Sequence, residues 1–465
     1  MQKYRTIKTA KKNEIENIEE YVKNDKNYLP SFHIYPKSGL LNDPNGLIFD
    51  GEKYHIFYQW YPFDSIHGMK HWKHMTTKDF ITFEEEETLI PEKEFESHGC
   101  YSGGAIKIDE DILCFYTGNT KQGMNLDRVS YQNIAVYNQG DKKFTDKYIV
   151  AKTPNGYTQH FRDPKPWIVN GEIRFICGAQ REDESGTAVI FSYDKDKRSS
   201  KVIGELEIES FDNENVFMWE CPDLFKLDKK DVFIWCPQGI KKDKHKFNNN
   251  YSTLYATGEL VDNKIQSSYI DQLDYGFDFY APQTFTDKED TLLIGWAGIP
   301  DAIYPSDKYK WQGMLTIPKV IEIQENKLIQ KPHKSIYSLI QKETKDINLS
   351  KSYIKSYINN EKFELKLFKN KETFISISYK NNIFTLDREN TKQTEFMKKY
   401  GSKRSVEIND FKNIEIFIDN SIIEIFINEG EYVFTSRFFI ENKSNEIEMM
   451  GDLKIEVYNM KAINL

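Results

Sequence analysis

SGLLNDPNGLIFDGEKYHIFYQWYP, residues Ser38 to Pro62, holds the pattern on which the fold of this chain turns. At its centre, Asn42-Asp43-Pro44-Asn45-Gly46 reads as a tight turn that sets one carboxylate between two apolar runs. Asn and Asp cap their own backbone, Pro fixes a dihedral and Gly supplies a positive φ. The flanking runs are aromatic and branched, as strands are. Alone, such a turn is scaffolding more often than catalysis. Two later stretches alter that balance: Phe161-Arg162-Asp163-Pro164 and Trp219-Glu220-Cys221-Pro222. Each again sets a carboxylate close to a proline.

Working outward, residues 31–330 are a succession of short aromatic and β-branched runs, such as DILCFYTGN, NIAVYN, EIRFICGAQ, VFIWCP and TLLIGWAG, separated by turn residues. Helical periodicity is nearly absent, so the expectation is a sandwich, barrel or propeller. Spacing favours the last. Asp43 and Asp163 are 120 residues apart, and Asp163 and Glu220 are 57 apart. One propeller blade takes about 40–60 residues, so the intervals correspond to two blades and one. The region then makes a five-bladed β-propeller with a carboxylate on the innermost strand of three blades.

Residues 1–30 are expected to form a helical extension, with Ile15, Ile18 and Val22 at helical spacing on one face. Residues 331–349 read as a polar linker. Residues 350–465 hold denser alternating runs, including KFELKLF, TFISISY, NIEIFID and SIIEIFI. Period-two alternation predicts strands with one buried and one exposed face, hence a C-terminal β-sandwich. The fold class is all-β. No catalytic constellation stands out in the second domain, whose expected part is to stabilise or to form oligomers. Homo-oligomerisation is left open.

Bulk composition narrows the function classes. The chain has 465 residues and a formal net charge of −9, which argues against a nucleic-acid partner. Its 5 cysteines form no CxxC pair, as expected of buried free thiols in a reducing compartment. The charged N-terminal stretch lacks the apolar centre of a signal peptide, and no run has membrane-spanning length. A cytoplasmic protein is expected, with no membrane partner.

Carboxylates facing one pocket suit glycoside hydrolysis, with a nucleophile, a general acid and groups that hold sugar hydroxyls. No HExxH, phosphate-loop or GxSxG motif competes; GCYSG at 99–103 has its serine at the wrong spacing.

LLNDPNG followed by FYQWYP, then FRDP and ECPDLF, resemble the three signatures of glycoside hydrolase family 32, the invertases and β-fructosidases. GCYSGGA, FYAPQTF, GWAG, WQGMLTIPKV and IIEIFINEGEYVFTSRFF follow in the same order, so the resemblance covers residues 31–460. It implies a five-bladed propeller followed by a sandwich, and a retaining mechanism without metal or organic cofactor. By resemblance Asp43 is the nucleophile, Glu220 the acid/base, and Asp163 with Arg162 the pair that holds fructose hydroxyls. Leu40, Leu41, Asn42, Gln59, His67, Tyr101, Ser102, Asp278, Tyr280 and Trp296 match positions that line the sugar pocket. The small-molecule substrate is sucrose or sucrose 6-phosphate. IHGMKHWKHM at 66–75 departs from the invertase pattern and is similar to the family's sucrose-6-phosphate branch. There His67, Lys70, Lys73 and His74 offer either a phosphate-holding cluster or a solvated loop. The rival readings are an invertase or fructan hydrolase without phosphate preference, an inverting furanosidase, a fructosyltransferase and a non-catalytic carbohydrate-binding protein.

The acid/base role sets two electrostatic expectations. Asp43 should be ionised, favoured by hydrogen bonds from its neighbours. Glu220 should be raised by burial beside Trp219 and by the charges of Asp43 and Asp163.

Overall fold

A computed structural model describes residues 3–124, 126–342, 346–358, 362–451 and 453–465. Five sheets occupy the chain from Gly39 to Pro332, each built on an antiparallel meander of four strands, and two of them add a short parallel fifth strand. Their innermost strands are Gly39–Phe49, Ala105–Ile108, Tyr157–Val169, Met218–Leu227 and Tyr280–Thr286. Each of these five strands packs against the next, and the last returns to the first, which closes the ring. The sheets are therefore blades 1 to 5 of a propeller. Closure is reinforced where Trp311–Gln312, an excursion from blade 5, pairs in parallel with Gly39 and Leu40 of blade 1.

The innermost strands share a local irregularity that sequence alone disguises. Asn42–Gly46 is not a turn; it lies within the continuous strand Gly39–Phe49, interrupted by register shifts between Leu41 and Pro44 and between Asn45 and Ile48. The same residue types serve because a bulge, like a turn, demands a positive φ and a missing backbone donor. Gly46 has φ +52°, and a Cβ there would meet the Phe57 ring at 2.9 Å. Blades 3, 4 and 5 repeat the device in Phe161-Arg162-Asp163-Pro164, Trp219-Glu220-Cys221-Pro222 and Phe279-Tyr280-Ala281-Pro282. The residue before each proline takes a positive φ: 66° at Asp163, 49° at Cys221 and 47° at Ala281. Such backbone is strained for a non-glycine residue and persists only where surrounding structure holds it.

The sandwich packs a six-stranded sheet against a five-stranded one. Strand Ile422–Ile427 departs from the expected alternation, being buried at every position. Its second face lies against the propeller rather than solvent. Glu424 accepts from Ile317 N–H at 2.8 Å and meets Lys319 and His33, all at the junction. Asp419 accepts from Ser31, Phe32 and His33 at the same junction. Gly276 approaches Thr435 so closely that a Cβ would lie 2.0 Å from its carbonyl oxygen.

The N-terminal helix spans Glu14–Val22, with Val22 buried and Ile15 and Ile18 packed against the propeller. The stretch expected to be a linker holds the end of the last blade strand, a helix Lys334–Tyr337 and a strand Ile340–Gln341 that extends the six-stranded sheet. All five cysteines are buried free thiols. Among the described residues no helix is long and apolar enough to cross a membrane.

Candidate active site

The bulges aim side chains into a cavity of about 330 Å³ at the centre of the ring. Because Leu41 pairs with Trp60 and Pro44 with Tyr58, two residues, Asn42 and Asp43, stand opposite the single Gln59. The cavity lining brings together Asn42, Asp43, Gln59, His67, Tyr101, Ser102, Arg162, Asp163, Glu220, Tyr280 and Trp296. Every blade contributes: Asp43 from blade 1, Ser102 just before blade 2, Asp163 from blade 3, Glu220 from blade 4 and Tyr280 from blade 5.

Asp43 sits in a closed network of donors. Ser102 Oγ donates to its Oδ2, and Asn42 Nδ2 donates to its Oδ1 at 3.0 Å. Asn42 Nδ2 also reaches Gln59 Oε1 at 2.9 Å, and Gln59 Nε2 donates to Ser102 Oγ. Lys70 Nζ donates to Asn42 Oδ1 at 2.5 Å. An ammonium can only donate, so Lys70 fixes the Asn42 amide with its N–H groups toward the carboxylate. Ser102 owes its place to two glycines. A Cβ on Gly103 would lie 1.9 Å from Phe115 O, and one on Gly104 2.7 Å from the Lys165 side chain. The Gly103 carbonyl then accepts from Gly46 N–H at 3.0 Å and Gln283 at 2.7 Å, joining blades 1, 2 and 5.

Glu220 is held by four donations. Arg162 Nε and Nη2 reach its Oε1 at 2.9 and 2.6 Å. Its Oε2 accepts from Tyr280 O–H at 2.6 Å and from Gln238. Asp163 Oδ2 accepts from Cys221 N–H at 3.0 Å, and Asp163 N–H donates to Thr117 Oγ1 at 3.0 Å. The positive φ values of Asp163 and Cys221 thus bring two strained backbones into one contact.

The three carboxylates divide their charge differently from the sequence expectation. Burial would raise Glu220, but the Arg162 charge and the donors Tyr280, Arg162 and Gln238 outweigh it and hold Glu220 below its ordinary value. Burial raises Asp43 despite Ser102, Asn42 and Lys70, with the Glu220 charge adding. Burial also raises Asp163 to about 7, against Arg162 and with Glu220 and Asp43. Of the three carboxylates, Glu220 is the one whose surroundings favour the charged form. The sequence expectation weighed neighbouring acids and overlooked Arg162, which faces Glu220 across two blades.

Some expected lining residues lie elsewhere. Leu40 and Leu41 are fully buried, Leu40 against Tyr61 and Phe63 and Leu41 in the main core, so they support the strand that carries Asp43 without reaching the cavity. Asp278 also fails to reach it. Its carboxylate is committed to Tyr304 O–H at 2.7 Å, Arg388 Nη1 at 2.8 Å and Arg437 N–H at 2.8 Å, which makes it an anchor between propeller and sandwich. The cluster from His67 to His74 divides. His67 and Lys70 reach the cavity, whereas Lys73 bonds Glu85 and His74 stacks on Phe57 and meets His55. Lys73 and His74 lie on strand His71–Thr77, interior to blade 1, whereas His67 lies in the irregular segment that precedes it, where Ile66 is exposed.

Sequence reasoning missed Gln238, Lys3, Tyr4, Lys121 and Arg128. Register supplied a signal for Gln238, which lies two residues beyond the partner of Glu220 on the adjoining strand. The others reach the cavity from a terminal segment and a hairpin. Among the described residues no group of three or more His, Cys, Asp or Glu side chains is placed to hold a metal ion.

Comparison with known proteins agrees with this fold. Residues 33–332 match the model of the glycosyl hydrolases family 32 N-terminal domain, and residues 321–461 that of the family 32 C-terminal domain. The chain is 35% identical to a sucrose-6-phosphate hydrolase of Vibrio alginolyticus over 99% of its length and 96% of the relative's. It is 36% identical to one of Bacillus subtilis over 94% of each chain. A sucrose-6-phosphate hydrolase structure from Lactobacillus gasseri superposes with a TM-score of 0.91 at 30% identity, covering 99% of both chains. A Bombyx mori β-fructofuranosidase in complex with sucrose gives a TM-score of 0.81 at 27% identity, covering 97% of this chain and 99% of that one.

Proposed function

Since the chain belongs to glycosyl hydrolase family 32 and acts on β-fructofuranosides, we propose that it cleaves sucrose 6-phosphate, and sucrose, to fructose and the corresponding glucose through a covalent fructosyl enzyme. The observation that carries this reading is the pairing of Asp43 and Glu220 in one cavity with unlike surroundings. Asp43 is ringed by neutral donors beside Lys70, and Glu220 is clamped by a guanidinium.

In the first step an Asp43 oxygen attacks the anomeric carbon of the fructosyl unit. The bond to the bridging oxygen breaks, its electron pair stays on that oxygen, and Glu220 supplies the proton that completes the departing glucosyl hydroxyl. In the second step Glu220 takes a proton from water, which attacks the same carbon and releases Asp43 as carboxylate. Asp163 and Arg162 hold fructose hydroxyls throughout. Two carboxylates on opposite sides of a scissile bond are the general requirement for this chemistry.

For the first step Glu220 must carry the proton and Asp43 must be ionised. Once Asp43 is esterified its charge is gone and Glu220 becomes a base more readily.

The test is fructose release from sucrose 6-phosphate and sucrose by wild type, Asp43→Ala and Glu220→Ala. Wild type should release fructose from both, and each variant should lose kcat by several orders of magnitude while remaining folded. Near-normal turnover by a folded Asp43→Ala protein would overturn the assignment. Equal efficiency on the two sugars would leave a plain invertase.

A further inference from the structure

Three cations at the mouth of the cavity have no part in the carboxylate chemistry. Lys3 comes from the N-terminal segment, which is fastened to blade 1 where Met69 N–H donates to Lys3 O at 2.8 Å and Ile7 N–H donates to His71 Nε2 at 3.0 Å. Lys121 and Arg128 stand directly opposite each other on the two long strands of blade 2, Asp111–Gln122 and Asp127–Asn138. All three line the cavity.

Like charges opposed across a strand pair are destabilising, and among the described residues none of the three forms an ion pair with a carboxylate. This is notable in a chain whose net charge is −9. Aromatic faces hold two of them in place without neutralising them. Lys121 Nζ lies 5.5 Å from the centre of the Tyr4 ring, and the Arg128 guanidinium 5.8 Å from that of Tyr101.

Depth determines what these cations meet. Asn42, Gln59 and Ser102, around the nucleophile, are at most 5% exposed, whereas Tyr4 is 39% exposed. The fructosyl unit must enter first, because its anomeric carbon has to reach Asp43, and the glucosyl unit is left at the mouth. We infer that Lys3, Lys121 and Arg128 form the subsite for the phosphate of the glucosyl unit, an inference that rests on the function proposed above. Guanidinium supplies a fork of donors for phosphate oxygens and the two ammonium groups supply point charges. Lys70 does not serve this purpose, since its ammonium is spent on Asn42 beside Asp43, and Lys73 is tied to Glu85.

The test is the ratio of kcat/KM for sucrose 6-phosphate to that for sucrose, measured on the full chain. Wild type, Lys3→Gln, Lys121→Gln, Arg128→Gln and the triple variant are compared, and the thermal unfolding of each preparation reports on folding. The ratio should exceed one in wild type, fall about tenfold for Arg128→Gln and fall further in the triple variant. A ratio that survives the triple substitution overturns the phosphate subsite and leaves the substrate standing. A wild-type ratio near one overturns the substrate itself. A second measurement needs no variant: glucose 6-phosphate should inhibit wild-type sucrose hydrolysis more strongly than glucose, and added salt should relieve the difference. Equal inhibition by the two sugars would overturn the subsite.

Discussion

Replacing Tyr280 with Phe deletes one hydroxyl from the surroundings of Glu220 and leaves the ring in place. In the intact site that hydroxyl donates to Glu220 Oε2 at 2.6 Å, beside Gln238, while Arg162 occupies Oε1. A hydrogen bond to a charged group contributes about 1.5–3 kcal/mol, and one pKa unit corresponds to about 1.4 kcal/mol. Loss of the donor should therefore raise the Glu220 pKa, because the charged carboxylate loses that stabilisation, water entry making up part of it. The sign follows from the free site, where these donors hold Glu220 below its ordinary value. In the proposed mechanism Glu220 acts first as an acid, so the alkaline limb of the kcat/KM profile should move to higher pH in Tyr280→Phe. The limb belongs to the three coupled carboxylates rather than to Glu220 alone, so it moves by less than the full loss of the hydrogen bond would give. The assay is kcat/KM for sucrose across the pH range in wild type and Tyr280→Phe. An unmoved limb, or one displaced toward acid, would refute the assignment of Tyr280 as the donor that keeps Glu220 ionised.

Three further outcomes follow from the fold. Burial disfavours the charged form of His33, but hydrogen bonds to Asp419 and Glu424 outweigh it and raise His33 from 6.5 to about 9. Its contribution, on the order of 3 kcal/mol, should be complete below pH 6.5 and vanish as pH rises through 9. Urea midpoints at both extremes would show the loss in wild type, and its persistence in His33→Asn would contradict the assignment. Asp278→Ala strands the buried Arg388 guanidinium and leaves the Arg437 backbone N–H without its acceptor, so it should cost about 3–5 kcal/mol of stability without raising KM for sucrose; a raised KM in folded protein would restore Asp278 to the sugar pocket. Gly313 has φ +79°, and a Cβ there would lie 1.9 Å from Leu41 O. Gly313→Ala should lower both Tm and kcat, because Leu41 leads directly into Asn42 and Asp43, and an unchanged kcat would separate ring closure from nucleophile placement.

The propeller was legible because turn residues recur between short aromatic runs and because Asp43, Asp163 and Glu220 fall at blade-like intervals. The repeat that builds the site was less visible, being only an aromatic residue and a proline three positions later at 161–164, 219–222 and 279–282. Its meaning lies in the positive φ before each proline, and residue identity does not announce that at Asp163, Cys221 or Ala281. Asn42–Gly46 read as a turn because bulges and turns select the same residues. Asp278 read as a pocket residue by family resemblance alone. The strand begins only at Tyr280, however, and Asp278 points to Arg388 and Arg437 instead. The Glu220 charge depended on Arg162, which is 58 residues distant in sequence and adjacent only in the folded ring. Lys3 and Tyr4 were beyond reach for the same reason, since they meet the cavity only after the N-terminal segment crosses blade 1.

The central claim, that Asp43 is the nucleophile and Glu220 the acid/base, is tested most directly by trapping the intermediate. Glu220→Gln should slow release of the fructosyl unit when a substrate with a good leaving group removes the need for acid catalysis in the first step. Peptide mass analysis after acid quench should then find one fructosyl unit esterified to the peptide that contains Asp43. A label on a different carboxylate, or quantitative turnover with inverted configuration and no label, would contradict the account.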